Sequence, residues 1–210
     1  FPFQSTDKTL KKSMRKINKM GILQATQSNS IYEKANIVLV SINCDLVNLN
    51  GRKKVDISSF KKSIVEVGNK IRENTLIIIV STVPPGTCSE IVYPTLRSIF
   101  LKRKLNPEKI YLAHSFERVT PGKNYLSSVI NNYRVYSGIN KESAKKCKNF
   151  LEKIVNIKKY PLFELKNTNS SELSKLMENS YRAVNIALVD EWSRLAEKIN
   201  VDLFDVIKAI

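Results

Sequence analysis

Apolar residues fall into two patterns along the chain. Short unbroken aliphatic runs occur at 36–42 (N-I-V-L-V-S-I) and 75–81 (T-L-I-I-I-V-S), and strands are also expected at 109–114 and near 132–137. Runs of this length without polar alternation suit strands covered on both faces. Between them the spacing changes to three and four. Leu10, Met14 and Ile17 predict a helix over 7–19, with Gly21 as its stop. Ile57, Phe60, Ile64, Val67 and Ile71 predict one over 56–72, and Ile91, Leu96, Ile99 and Phe100 one over 87–103. Another helix is expected at 141–155. I-L-Q-A-T at 22–26 reads as a short strand, N-L-N-G-R-K-K as a polar loop, and Y-P-L-F-E-L as a last strand. Strands alternate with helices, and the connections read as too long for hairpins. The expected fold is α/β, with a Rossmann-like, mostly parallel sheet and helices on both faces.

From about 168 the character changes. Leu173, Leu176, Met177, Tyr181, Val184, Leu188, Trp192, Leu195 and Ile199 make one helical stripe over 171–199. Ile186 and Val189 fall on the far side, so the middle of this helix is apolar nearly all round, as in a helix packed between two bodies. A further helix begins after Asn200, with Asp202 as its cap. The expected division is an α/β domain over 1–165 and an α-helical central region over 166–210.

Composition narrows the function classes. The net charge is +16, which admits a nucleic-acid footprint. The basic residues, however, come in twos and threes along the whole chain, with no aromatic-interleaved stripe. A solvated lysine-rich surface, suited to an anionic small molecule such as a nucleotide, is the better reading. Three widely spaced cysteines (Cys44, Cys88, Cys147) with no C-x-x-C argue against a disulfide framework or zinc site and for a reducing compartment, the cytoplasm. The single histidine, His114, cannot anchor a multi-histidine metal site and is expected to be structural. No apolar run is long enough for a membrane span. The chain starts with Phe and ends inside D-V-I-K-A-I, so it reads as an internal piece of a longer protein.

Three segments carry candidate chemistry. In S-T-V-P-P-G-T-C-S-E (81–90), Thr82 sits at the carboxyl end of a strand. Pro84 and Pro85 delay the helix, Gly86 turns the chain, and Thr87 and Glu90 have capping-box spacing. Free helix N–H groups and a threonine hydroxyl are then expected to face the crevice where doubly wound sheets bind nucleotides. In A-H-S-F-E-R-V-T-P-G-K (113–123), Glu117 and Arg118 follow another strand end. The carboxylate is placed to orient a water, and the arginine to meet a phosphate, although an exposed ion pair is the commoner arrangement. In S-E-L-S-K-L-M-E-N-S-Y-R-A-V-N-I-A, Lys175 and Asn179 project within about 40° of each other, one turn apart, and suit a developing oxyanion.

Taken in order, these segments resemble the nucleotide-sugar dehydrogenase family, the UDP-glucose/GDP-mannose dehydrogenases. S-F-E-R-V-T-P-G is similar to the P-E-R-V-x-P-G loop of the branch that oxidises UDP-N-acetylhexosamines such as UDP-N-acetylmannosamine, with Phe116 in place of proline. The resemblance implies an NAD-dependent enzyme that oxidises a UDP-sugar C6 hydroxyl to the uronate in two hydride transfers, through a covalent cysteine adduct, for surface polysaccharide precursors. It also implies roles for individual residues. Ser41 and Thr82 would contact NAD, and Thr82 would also position a water. Glu117 would act with that water in hydrolysis. Lys175 and Asn179 would stabilise the oxyanion, and Arg118, Lys175 and Asn179 would contact substrate. The helix at 171–199 would form a homodimer core, and all three segments would meet at one hollow. The family's first strand, its G-x-G-x-x-G turn and its G-G-x-C cysteine have no counterpart here. The resemblance therefore implies a sheet lacking its first βαβ part, little activity and weak NAD affinity in this chain alone. The alternatives are another Rossmann dehydrogenase of the 6-phosphogluconate or hydroxyacid type, and a basic nucleic-acid-binding module.

Overall fold

Four successive residues, Leu76–Ile79, are buried on both sides and form β4. Their neighbours explain why. In the computed structural model, which describes residues 5–210, β4 lies between β1 (Ile37–Val40) and β5 (Tyr111–His114), parallel to both. The sheet continues through β6 (Arg134–Gly138), antiparallel to β5, and β7 (Leu162–Glu164), parallel to β6. Its order is β1-β4-β5-β6-β7.

Each face of this sheet has its own core. On one, Val38, Val40, Ile77, Ile79 and Leu112 meet Phe60, Ile64 and Val67 of α2 (Ser58–Lys70) and Leu96 and Phe100 of α3 (Tyr93–Lys102). On the other, Leu76, Ile78, Tyr111, Ala113 and Tyr136 meet Ala144, Cys147 and Leu151 of α5 (Lys141–Leu151). Burying an aliphatic side chain is worth about 1.5–3 kcal/mol, which is why alternate residues of one strand can serve two helical layers. The α/β, mostly parallel fold expected from the sequence is the observed one.

Local expectations fail at five places. β1 is covered on one face only: Val38 and Val40 are buried, but Ile37 and Leu39 are exposed, because β1 is an edge strand whose second face no helix covers among the described residues. The polar loop after β1 is an antiparallel hairpin, β2 (Asp45–Leu49) with β3 (Arg52–Asp56), paired so that Leu49 faces Arg52. Its two-residue turn, Asn50-Gly51, has positive φ at both positions (53° and 76°), the backbone a tight hairpin turn demands. Residues 22–26 form no strand and have no partner strand. A short helix, α4 (Tyr125–Ile130), interrupts the long loop after β5, and Asp7 ties it to α1 (Lys8–Lys19) by accepting from the N–H groups of Leu10 and Leu126. Finally, the helix after β4 opens with a π-helical segment, Thr87–Val92, before becoming α3. Pro94 sits at that junction. It has no N–H to offer the preceding turn and its ring crowds the carbonyl four residues back, so a widened turn accommodates it.

The chain comprises two compact units, one running to Leu173 and the other Ser174–Ile210. The long helix α6 (Thr168–Lys198) spans the boundary, its first turn belonging to the first unit. In the second unit α6 is followed by α7 (Leu203–Ala209), capped as expected by the Asp202 carboxylate on the Phe204 N–H at 2.8 Å. Trp192 and Leu195 of α6, Ile199 just after it, and Val206 and Ile207 of α7 line an apolar cavity of about 290 Å³. Among the described residues no helix is long and apolar enough to cross a membrane.

Candidate functional site at the carboxyl edge of the sheet

Because β1, β4 and β5 are adjacent and parallel, their carboxyl ends bring Ser41, Thr82 and the 115–118 segment to one edge. Ser81 ties the first two strand ends together. Its buried hydroxyl accepts from the Ile42 N–H at 2.7 Å, and its own N–H donates to the Val40 carbonyl at 3.3 Å. Ser41 and Thr82, the residues flanking this junction, are both exposed.

At the end of β5, Ser115 donates through its hydroxyl to the Val135 carbonyl at 2.9 Å, and Phe116 is fully buried. Glu117 emerges next to Arg134 of β6, with 3.5 Å between Oε2 and Nη2. Arg134 is itself buried; its Nη1 donates to the Phe116 carbonyl at 3.1 Å, and burial lowers its pKa against the pull of Glu117. Arg118 donates to the Tyr133 carbonyl at 2.7 Å, and its guanidinium lies 5.1 Å from the Phe116 ring centre. Glu117 thus pairs with Arg134, a residue that sequence spacing did not single out. A charged residue within the otherwise uncharged strand Y-R-V-Y-S-G was the available signal.

The helix N-terminus after β4 is not open. The Glu172 carboxylate, fully buried in the first turn of α6, accepts from the Gly86 N–H at 2.7 Å and the Cys88 N–H at 2.8 Å. Thr87 does not form the expected capping box; its hydroxyl donates back to the Pro84 carbonyl at 2.6 Å, and Gly86, at φ 92°, is the cap residue. The expectation of free N–H groups facing the crevice is therefore corrected, because a carboxylate of the same chain occupies them. Burial raises the Glu172 carboxyl above its ordinary range, and the N–H groups of Cys88, Gly86 and Thr87 pull the other way.

His114 is structural, as expected. It is fully buried, with Nδ1 2.8 Å from the Ser171 hydroxyl, which is also 2.7 Å from the Ser137 hydroxyl and donates to the Thr168 carbonyl at 3.0 Å. Nε2 has no hydrogen-bond partner. Burial pushes the imidazole pKa down from 6.5 to about 4.

None of the three thiols is activated. Cys88 and Cys147 are buried, which raises both thiols, Cys147 to about 12; partial burial, Asp45 and Asp56 raise Cys44. Lys175 and Asn179 belong to the second unit, where the helical repeat puts them one turn apart on α6.

The model for the NAD binding domain of the UDP-glucose/GDP-mannose dehydrogenase family matches residues 3–156. The chain belongs to this family. The family's central domain matches residues 169–210, so both parts occur in order. A UDP-N-acetyl-D-mannosamine dehydrogenase of Methanocaldococcus jannaschii is 35% identical over 176 residues, covering 84% of this chain and 38% of that protein. One from Methanococcus maripaludis is 37% identical over 78% of this chain and 34% of its own length. The solved UDP-D-ManNAc dehydrogenase of Pyrococcus horikoshii superposes with a TM-score of 0.83 at 25% identity, over 97% of this chain and 46% of that one. The chain therefore spans less than half the length of these relatives. Membership in this dehydrogenase family decides between the two dehydrogenase readings, and the cofactor of its first domain is NAD. The residues present fit such a cofactor: two exposed residues with hydroxyls, Ser41 and Thr82, follow the carboxyl ends of adjacent parallel strands.

Proposed function

We propose that the chain is part of an NAD-dependent nucleotide-sugar 6-dehydrogenase that oxidises the C6 hydroxyl of a UDP-N-acetylhexosamine, UDP-N-acetylmannosamine in the first instance, to the uronate for polysaccharide precursors. The observation that carries the reading is the gathering of Ser41, Thr82 and the Glu117–Arg134 pair at the carboxyl edge of three adjacent parallel strands.

When bound, NAD accepts a hydride. Each hydride takes two electrons, and alcohol to carboxylate needs two such transfers and one water. Ser41 and Thr82 hold the cofactor through their hydroxyls, and Thr82 also orients the water. Glu117 takes a proton from that water, with Arg134 fixing the carboxylate in place. Arg118 meets the anionic part of the substrate. Lys175 and Asn179 stabilise the oxyanion at the reacting carbon. Glu172 already holds the Gly86 and Cys88 N–H groups at the start of the Thr87 helix, so these donors would not serve the cofactor's phosphates. The reacting thiol is none of Cys44, Cys88 and Cys147, since thiols with raised pKa are poor nucleophiles.

The exposed apolar residues of α6, among them Met177, Tyr181, Val184, Leu188 and Trp192, support a homodimer formed through this helix. Three unpaired thiols suit a reducing, cytoplasmic setting.

The experiment is incubation of the whole protein of which this chain is proposed to be part with NAD and UDP-N-acetylmannosamine, following NADH and uronate together. Two NADH per uronate supports the proposal. NADH formed with a 2-hydroxy acid or a sugar phosphate instead, or one NADH per turnover with an aldehyde as end product, contradicts it.

A further inference from the structure

We infer that Glu172 is the positioning residue of the turn that carries Thr82: its carboxylate acts as an internal anion that holds residues 82–88 in their working conformation. The consequence for NAD rests on the reading of Thr82 given above.

The turn cannot hold itself. Pro84 and Pro85 contribute no N–H groups, and the turn's internal bonds are those from the Thr87 N–H and hydroxyl to the Pro84 carbonyl. Gly86 then enters the left-handed region at φ 92°. That conformation sends the N–H groups of Gly86 and Cys88 to the two separate oxygens of one carboxylate. Glu172 lies 86 and 84 residues away in sequence from these donors and is completely buried. Its own helix turn is anchored independently. Ser171 joins the His114 and Ser137 side chains and donates to the Thr168 carbonyl. The carboxylate thus reaches the turn from a fixed base, and both of its oxygens are engaged by backbone donors. A helix N-terminus at this place in an α/β sheet is the usual seat of a ligand phosphate. Here a side chain supplies the negative charge, and the turn is set before any ligand arrives.

Substituting Glu172→Gln keeps the volume but puts an amide NH₂ against one of the two N–H donors. The test uses the full chain as wild type, E172Q, E172A and Thr82→Val, each checked for folding by circular dichroism. Backbone amide resonances and NAD titrations are followed by NMR, which reads millimolar as well as micromolar affinity. In E172Q the Gly86 and Cys88 amides are expected to move upfield, with changes concentrated in 82–90, and NAD affinity to fall about tenfold. Acetate, but not chloride at equal ionic strength, is expected to return the E172A amides toward the wild-type positions. Unchanged Gly86 and Cys88 resonances in folded E172Q, or changes spread evenly over the sheet, overturn the inference. Tenfold weakening in T82V with none in E172Q overturns it as well. If T82V binds NAD like wild type while the two amides respond to E172Q, the positioning role stands and the cofactor role of Thr82 falls.

Discussion

His114 offers the sharpest link between this structure and a measurable energy, because it is the only histidine in the chain. The perturbation is acid. In the folded chain the imidazole is buried, hydrogen-bonded through Nδ1 to the Ser171 hydroxyl, and resists protonation until about pH 4. In the unfolded chain it takes up a proton near its ordinary value of 6.5. Between these values the unfolded state binds a proton that the folded state refuses. The stabilisation is therefore intact above 6.5, declines as pH falls, and is fully lost below about 4. At about 1.4 kcal/mol per pH unit the loss is about 3 kcal/mol, a large part of the 5–15 kcal/mol typical of a domain. Glu172, whose carboxyl is raised, contributes with the opposite sign over the window above 4.5, gaining stability as pH falls. The comparison must therefore be made against a variant rather than on wild type alone. His114→Asn retains an amide donor toward Ser171 and cannot titrate. Urea unfolding followed by circular dichroism at several pH values between 7 and 4 should show wild type losing about 3 kcal/mol more than H114N across that range. A single imidazole NMR signal titrating near 4 completes the check. An imidazole that titrates near 6.5, or identical pH slopes for both proteins, refutes the argument.

Two further outcomes follow from packing. Gly138 ends β6 where α5 begins, and a Cβ there would press into the backbone of Ala144 and Asn140. Gly138→Ala should therefore cost about 1–3 kcal/mol, as overpacking does, read as a lower urea midpoint. If the apolar surface of α6 joins two copies, Trp192→Asp should shift sedimentation from dimer toward monomer with unchanged far-UV circular dichroism; monomeric wild type at micromolar concentration would remove the dimer from the proposal.

L-I-I-I was legible as a doubly covered strand because full burial leaves no polar alternation; I-V-L-V was legible as a strand from the same kind of run, but only its Val38 and Val40 are buried, while Ile37 and Leu39 are exposed. Helices α2 and α6 were legible for the matching reason, a stripe at three-and-four spacing. The hairpin β2–β3 was missed although its Asn50-Gly51 turn is a strong local signal, because lysines and arginines flank it where apolar alternation was sought. Residues 22–26 have a strand-like composition but no neighbouring strand to pair with, and composition alone does not supply one. In the candidate site, Ser41, Thr82 and Glu117 could be placed because each follows a strand end, a position readable from one segment. Glu172 could not, because its partners lie more than eighty residues away and nothing in S-E-L-S-K marks a carboxylate as buried. Arg134 shares that history: its role depends on β6 running antiparallel beside β5, a relation that no local pattern encodes.

That NAD lies across the carboxyl ends of β1, β4 and β5 is tested most directly by titrating the chain with NAD and mapping amide shifts. The expected result is saturable change at Ser41–Asn43, Ser81–Val83 and Ser115–Glu117. Shifts confined to the opposite edge, at Asn36, Asn74 and Lys146, or no change at millimolar NAD, would contradict it.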